Sequence, residues 1–170
     1  SGPSGSSCGT ATAAVSVGSK VFQVFNHYKP FCGNQAFLSA PSPGNNYSIF
    51  VLARFSPTGQ LLGHLRSEGT DFNSADVMHV HGNYLYVAGP YRGEFKFGAN
   101  DVTHPSAGAV SSRYIARTDL DLNLQWIKTF DNSHYAITRM RTDTQGNLYH
   151  SGRSFSNSFN LGHGFPTISY

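Results

Sequence analysis

The sequence predicts an all-β protein made of about two and a half antiparallel, four-stranded repeats that do not close on themselves. Three observations predict it. Similar segments return at an offset of about 63 residues. Inside them, short runs of alternating apolar and polar residues are separated by Asp, Asn and Gly, the pattern of strands joined by tight turns. No stretch offers an apolar 3.6-residue face of helical length, and 18 glycines and 8 prolines punctuate the chain too often for long helices.

The elements follow in chain order. Residues 1–13 are rich in Gly and Ser and lack a packing pattern, which predicts a flexible or extended arm. Residues 14–33 form a half repeat: AVSVGSKVFQVFNHYK lies without a gap on VMHVHGNYLYVAGPYR, so that Val17 meets Val80, Phe22 meets Leu85 and Val24 meets Val87. Residues 45–98 and 109–162 are the two full repeats. SIFVLARFSPTGQLLG lies on SRYIARTDLDLNLQW, with Ala53 on Ala116, Arg54 on Arg117 and Leu61 on Leu124. GNYLYVAG then lies on GNLYHSG, with Leu85, Tyr86 and Gly89 on Leu148, Tyr149 and Gly152. Both close alike, in EFKFG and SFNLG. Residues 163–170 remain as a tail.

In the last repeat, Tyr114–Thr118 and Leu124–Phe130 form one hairpin across Asp119, Asp121 and Asn123. Ile137–Thr142 and Leu148–Ser151 form a second across Asp143, Gln145, Gly146 and Asn147. A full repeat thus supplies four strands, a to d, and the chain starts half-way through with c and d. The apolar strand Val21–Phe25 then lacks a preceding a–b hairpin and is expected to leave an open edge. Val24, Leu52, Leu85, Val87, Ile115, Leu124, Trp126 and Leu148 recur at apolar positions and are expected to share one core.

Gly82, Asn83, Tyr86 and Gly89, then Phe97 and Gly98, then Ile115, Ala116, Arg117 and Asp119, then Asn123, Leu124 and Trp126 resemble the four-stranded blade repeats of secreted bacterial β-propeller proteins. The resemblance covers nearly everything from Ala14 to Gly162 and implies fold rather than chemistry, because these are turn and packing positions. Three places depart from the pattern. Leu122 stands where the turn glycine is expected, Gly63 stands where the second copy should carry Trp, and Ser19-Lys20 replaces Gly-Asn in the first copy.

A chain of 170 residues with 39% hydrophobic and 14% aromatic content can bury a sizeable core. Only 12% of residues are charged, a composition more usual for secreted and surface proteins than for cytosolic enzymes. The net charge of +3 without a Lys/Arg cluster argues against nucleic acid as a partner. No apolar run is long enough to span a membrane as a helix. A chain that begins with Ser fits a product trimmed of an export signal, and a piece of a longer protein equally.

Candidate chemistry is sparse. Cys8 and Cys32 allow one intramolecular pair, a disulfide clamping the arm onto the first repeat in an oxidising compartment; the alternative is a buried thiol and an incidental tail cysteine. His79 and His81 share one side of a strand at a spacing that can chelate a metal, yet no third ligand can be placed beside them, and solvated imidazoles on a strand face fit the same pattern. Asp119 and Asp121 resemble a carboxylate pair but flank a turn where Asp is expected for backbone hydrogen bonding. Asn46-Tyr47-Ser48 is a glycosylation sequon. Tyr28 and Tyr91 follow strand d at equivalent places, each before a basic residue, Lys29 or Arg92, with Phe155 near the third; such rings can stack on sugars or cover hairpin edges.

No nucleophile, acid–base constellation, phosphate loop or cofactor motif is present, so no catalytic residue and no cofactor is expected. The leading expectation is a non-enzymatic extracellular or cell-surface structural protein, a homopolymer joined head to tail into a filament or surface layer through a donated strand or tail. The alternative is a lectin-like module that binds glycans.

Overall fold

The computed structural model describes residues 10–27, 49–98, 100–106, 111–130, 135–155, 158–159 and 168–169. All regular structure in them is β, and every paired strand is antiparallel. The first sheet contains β1 (Thr10–Val17), β2 (Lys20–His27), β3 (Ile49–Phe55) and β4 (Leu61–Gly69), extended by β7 (Glu94–Phe97) and β8 (His104–Pro105), in the order β1-β2-β3-β4-β7-β8. The second contains β5 (Val77–His81), β6 (Tyr84–Tyr91), β9 (Ser112–Asp119) and β10 (Leu124–Phe130), in the order β10-β9-β6-β5. Two pairs follow: β11 (Tyr135–Thr142) with β12 (Leu148–Ser154), and β13 (Ser158–Phe159) with β14 (Ile168–Ser169). The sheets are open. Among the described residues there is no helix long and apolar enough to cross a membrane.

This grouping corrects the expected strand partners. β1 to β4 of the first sheet, and the four strands of the second, each join the strands expected as c and d of one copy to those expected as a and b of the next. Val21–Phe25 is therefore no edge: β2 pairs with β1 on one side and β3 on the other. The strand that covers it begins at Thr10, inside the segment expected to be an arm. The EFKFG segment also leaves its own sheet, because β7 pairs with β4.

The two sheets share one register. In the first, Val15, Phe22, Arg54 and Gly63 lie opposite one another across four strands. In the second, His79, Tyr86, Arg117 and Trp126 do the same. Phe22 is thus the positional equivalent of Tyr86, and the expected match of Phe22 to Leu85 is one residue out. That slip reverses the face. Phe22 points onto the second sheet and Leu85 points back onto the first, and both are fully buried in the same core.

The expected single core is two cores, one on each face of the second sheet. Val24, Leu52, Leu85 and Val87 bury with Phe22, Phe50, Phe95, Phe97 and Tyr114 between the sheets, with Leu124 packed against them. Tyr86, Ala88 and Ile115 point the other way onto Ile137 and Met140, with Trp126 and Leu148 alongside. A strand buried on both faces loses the polar half of its alternation, which is why β6 reads as a nearly continuous apolar run.

The connector from β4 to β5 is buried too. Asn73, Ser74 and Ala75 are at most 2% exposed, so their backbone groups need partners within the protein. Asn26 on β2 supplies two: its Oδ1 accepts from the Ala75 amide at 3.0 Å and its Nδ2 donates to the Ala75 carbonyl at 3.0 Å. Tyr114 Oη donates to the Ser74 carbonyl at 2.9 Å, and the Ser74 amide donates to Pro90 O at 3.1 Å. Gly89 makes room, since a Cβ there would lie 2.1 Å from Ser74 O. Asn26→Ala would orphan the Ala75 amide while Thr12 Oγ1, 2.9 Å away, still serves the carbonyl. We expect a loss of roughly 1–3 kcal/mol, measured by urea unfolding; an unchanged midpoint would mean that the connector is not buried.

Candidate functional site

The second sheet presents its row of His79, Tyr86, Arg117 and Trp126 towards β11 and β12, where a cleft of about 380 Å³ opens at the turn end of the strands. Tyr84, Tyr86, Arg117, His81, Asn83 and Gln145 line it. Alternation puts Tyr84, Tyr86 and Arg117 on one face, and antiparallel pairing sets Arg117 beside Tyr86. The guanidinium lies 4.3 Å from the Tyr84 ring centroid and 5.4 Å from that of Trp126, positions suited to cation–π attraction. Arg117 makes no hydrogen bond or ion pair with a described residue, and its Nε is buried without a partner.

Arg54 holds the same place in the first sheet and is engaged. Its Nη1 donates to Leu120 O at 2.9 Å and to the Asp121 carboxylate, which Lys20 Nζ also reaches at 3.2 Å. These contacts hold the Asp121 carboxyl below its usual range. Both acceptors belong to the turn Asp119–Asn123 that joins β9 to β10. Its first residue is an amide acceptor: Asp119 Oδ1 takes the Asp121 and Asn123 amides, both at 2.9 Å. Burial pushes the Asp119 carboxyl up, and the hydrogen bonds from Asn123 and Asp121 outweigh it and bring it below the ordinary value. Asp119 and Asp121 thus serve a turn and an ion pair rather than standing as a free carboxylate pair.

The same turn occurs at Ser56–Gln60 and Asp143–Asn147, each closed by a bond from the first amide to the fifth carbonyl and from the fourth amide to the first carbonyl. Its fourth residue is left-handed: Gly59 at φ +82°, Gly146 at +85° and Leu122 at +69°. Leu122 accepts this backbone cost because its side chain enters the core, 6% exposed. There it meets a second of the three departures from the repeat pattern, since a Cβ on Gly63 would lie 4.0 Å from Leu122 Cδ1. A leucine on the turn fills the space left by the missing tryptophan on the sheet.

Other expected site residues fall differently. His79 is half-buried, with Nε2 3.1 Å from Thr142 Oγ1 and its ring stacked 6.2 Å from Tyr86, while His81 borders the cleft. No group of three His, Cys, Asp or Glu that could hold a metal occurs among the described residues. Tyr91 cannot stack on a glycan: it is fully buried beside Phe95 at 5.2 Å, and its hydroxyl donates to Pro105 O at 3.2 Å. Arg92 next to it is paired with Asp71 at 2.6 Å. Phe155 is 60% exposed, under the Arg153 guanidinium at 5.1 Å. Cys8, Cys32, Asn46 and Tyr28 lie outside the described residues. Comparison with protein families, with curated proteins and with solved structures finds no match to this chain.

Two predictions follow from these side chains. Returning Leu122 to glycine relieves a left-handed strain of roughly 1–2 kcal/mol. It also removes about 1.5–3 kcal/mol of leucine burial and adds unfolded-state entropy. Burial wins, so Leu122→Gly should destabilise by about 1–2 kcal/mol in chemical unfolding, and a more stable variant would contradict the packing with Gly63.

Burial lowers the pKa of His79, helped by Arg141 and His81, and burial alone lowers that of His150. A histidine with a depressed folded-state pKa protonates first in the unfolded chain. Stability should therefore be constant above the ordinary value of 6.5, fall as pH drops below it, and level off beneath the folded pKa values. Thermal melts of the wild type and His79→Gln/His150→Gln between about pH 8 and pH 5 check this; the double variant should flatten the slope.

Proposed function

We propose that this chain is a non-enzymatic extracellular structural protein that joins copies of itself head to tail through an open sheet edge, on a framework of two and a half blade-like repeats about 63 residues apart. The observation that carries this reading is the state of β12. β2 and β6 follow the first strand of a sheet just as β12 follows β11, and each is covered on its far side, by β3 and by β9. Among the described strands, β12 pairs with β11 alone. Unpaired strand edges recruit strands from other chains. Tyr149 and Phe155, at 59% and 60% exposure, flank this edge with apolar surface.

Support for the repeat framework comes from registers. β13 and β14 pair as Ser158 with Ser169 and Phe159 with Ile168, the pairing of β7 and β8 displaced by one constant step from Glu94 with Pro105 and Phe95 with His104. The leading strands β1, β5 and β11 pack in succession, as the inner strands of radially arranged blades do. About two and a half blades fall short of the roughly four that a closed ring needs. A head-to-tail contact that does not close gives an open fibre.

Light scattering and negative-stain microscopy of the purified chain should show growth that depends on concentration. Tyr149→Glu with Phe155→Glu should slow it by placing charge beside the edge. A monodisperse monomer at micromolar concentration, unaffected by these changes, would overturn the reading.

A further inference from the structure

We propose that the Arg117 cleft is a receptor for the turn of a β-hairpin from a partner polypeptide, one with a carboxylate at the third turn position and glycine at the fourth. The inference rests on β12 being an acceptor edge and goes beyond self-assembly: none of the described turns of this type in the chain itself, Ser56–Gln60, Asp119–Asn123 and Asp143–Asn147, combines a third-position carboxylate with a fourth-position glycine, so the hairpin accepted here belongs to a different polypeptide.

The template is the contact between the first and second sheets. There Arg54 grips the Asp119–Asn123 turn through Leu120 O, at 2.9 Å, and the third-position Asp121 carboxylate. Arg117 occupies the equivalent place in the second sheet, opposite Tyr86 as Arg54 is opposite Phe22. It faces a cleft lined in part by Gln145 and Gly146 of the β11–β12 turn, and neither that turn nor any other described residue gives it a hydrogen bond or an ion pair. A cation poised between the Tyr84 and Trp126 rings, with no acceptor for its Nη atoms among the described residues, suits an incoming carbonyl and carboxylate in the arrangement Arg54 already holds through Nη1.

Shape sets the fourth position. In the first contact Leu122 fits because Gly63 lies opposite Arg54. In the second row Trp126 lies opposite Arg117, so its indole occupies the space that the leucine needs. A turn docking there must carry a residue without a side chain, and the left-handed backbone of this turn type suits glycine on its own account. The receptor thus discriminates by one charge and one volume.

The probes are cyclised hairpin peptides copying residues 112–130: the native sequence, the same with Leu122→Gly, and the Leu122→Gly peptide with Asp121→Asn. Binding to the full chain is measured by calorimetry. The Leu122→Gly peptide should bind, the native peptide should bind roughly tenfold more weakly or worse, and loss of the carboxylate should weaken binding by a similar factor. Arg117→Gln in the chain should abolish the preference for the carboxylate. Trp126→Gly should reverse the size preference and admit the native peptide, a gain that misfolding cannot produce. Absence of binding by every peptide, or binding indifferent to Arg117 and Trp126, overturns the inference. Copies that assemble while no hairpin binds would leave the self-assembly reading standing and this one refuted. A hairpin that binds a chain which stays monomeric would do the opposite.

Discussion

The structure depends on a stretch of main chain that has no access to water. Between β4 and β5 the connector passes through the space between the sheets, and its amides and carbonyls must be satisfied there or the sheets cannot close on one another. Asn26, reaching from β2, offers a side-chain amide that matches the donor and acceptor of Ala75 as a neighbouring strand would. Tyr114 from β9 and the backbone of β6 complete the set. With Thr12 of β1 also donating to the Ala75 carbonyl, the polar seam ties four strands from both sheets to one connector. Apolar burial supplies the drive to pack, but it has no direction; the seam fixes the position at which packing occurs.

Once that position is fixed, the second sheet becomes the centre of the molecule. Its forward face carries Tyr86, Ala88 and Ile115, and its rear face carries Leu85, Val87 and Ala116. The two sets alternate along the same strands, so neither core can be repacked without a shift in the other. Gly89 and Gly152 have parallel duties at the two levels. A Cβ would meet Ser74 O at 2.1 Å at the first and Ala136 O at 2.2 Å at the second. Close approach of one backbone to the next, rather than turn formation, is what both positions require of glycine.

Much of this was legible in the sequence, and the limits have physical causes. Strands and turns follow local chemistry: Asp119 and Asp143 accept backbone amides within four residues, and Asn123 and Asn147 donate their side-chain amides back to those carboxylates, so the hairpins could be placed from composition alone. Sheet partners are non-local. Nothing in the Val21–Phe25 segment reveals that β3, beyond a long connection, covers it, so the sequence alone points to an open edge on a strand that is paired on both sides. The face of Tyr91 was illegible for a related reason, since an aromatic at the end of a strand serves a core or a surface depending on where β7 goes. Arg117 and Trp126 were visible only as repeat and packing positions and Tyr84 not at all, because their convergence depends on register across three strands.

The two arginine rows separate geometry from strength. Arg54 is 17% exposed and Asp121 is 66% exposed, so their ion pair is partly screened and modest in worth. What it supplies is orientation: a planar guanidinium donates to a carbonyl and a carboxylate close to its own plane, which sets the angle of the turn against the sheet. Gly63 and Leu122 then fill that fixed space together. A substitution at either place alone would leave a hole or a clash, whereas the paired exchange keeps the volume. The second row keeps the large residue on the sheet, as Trp126, beside an arginine at the equivalent register position whose guanidinium lies against Tyr84 and Trp126. Two surfaces built on one register can therefore differ in what they admit through a single exchange of volume, with the charge left in place.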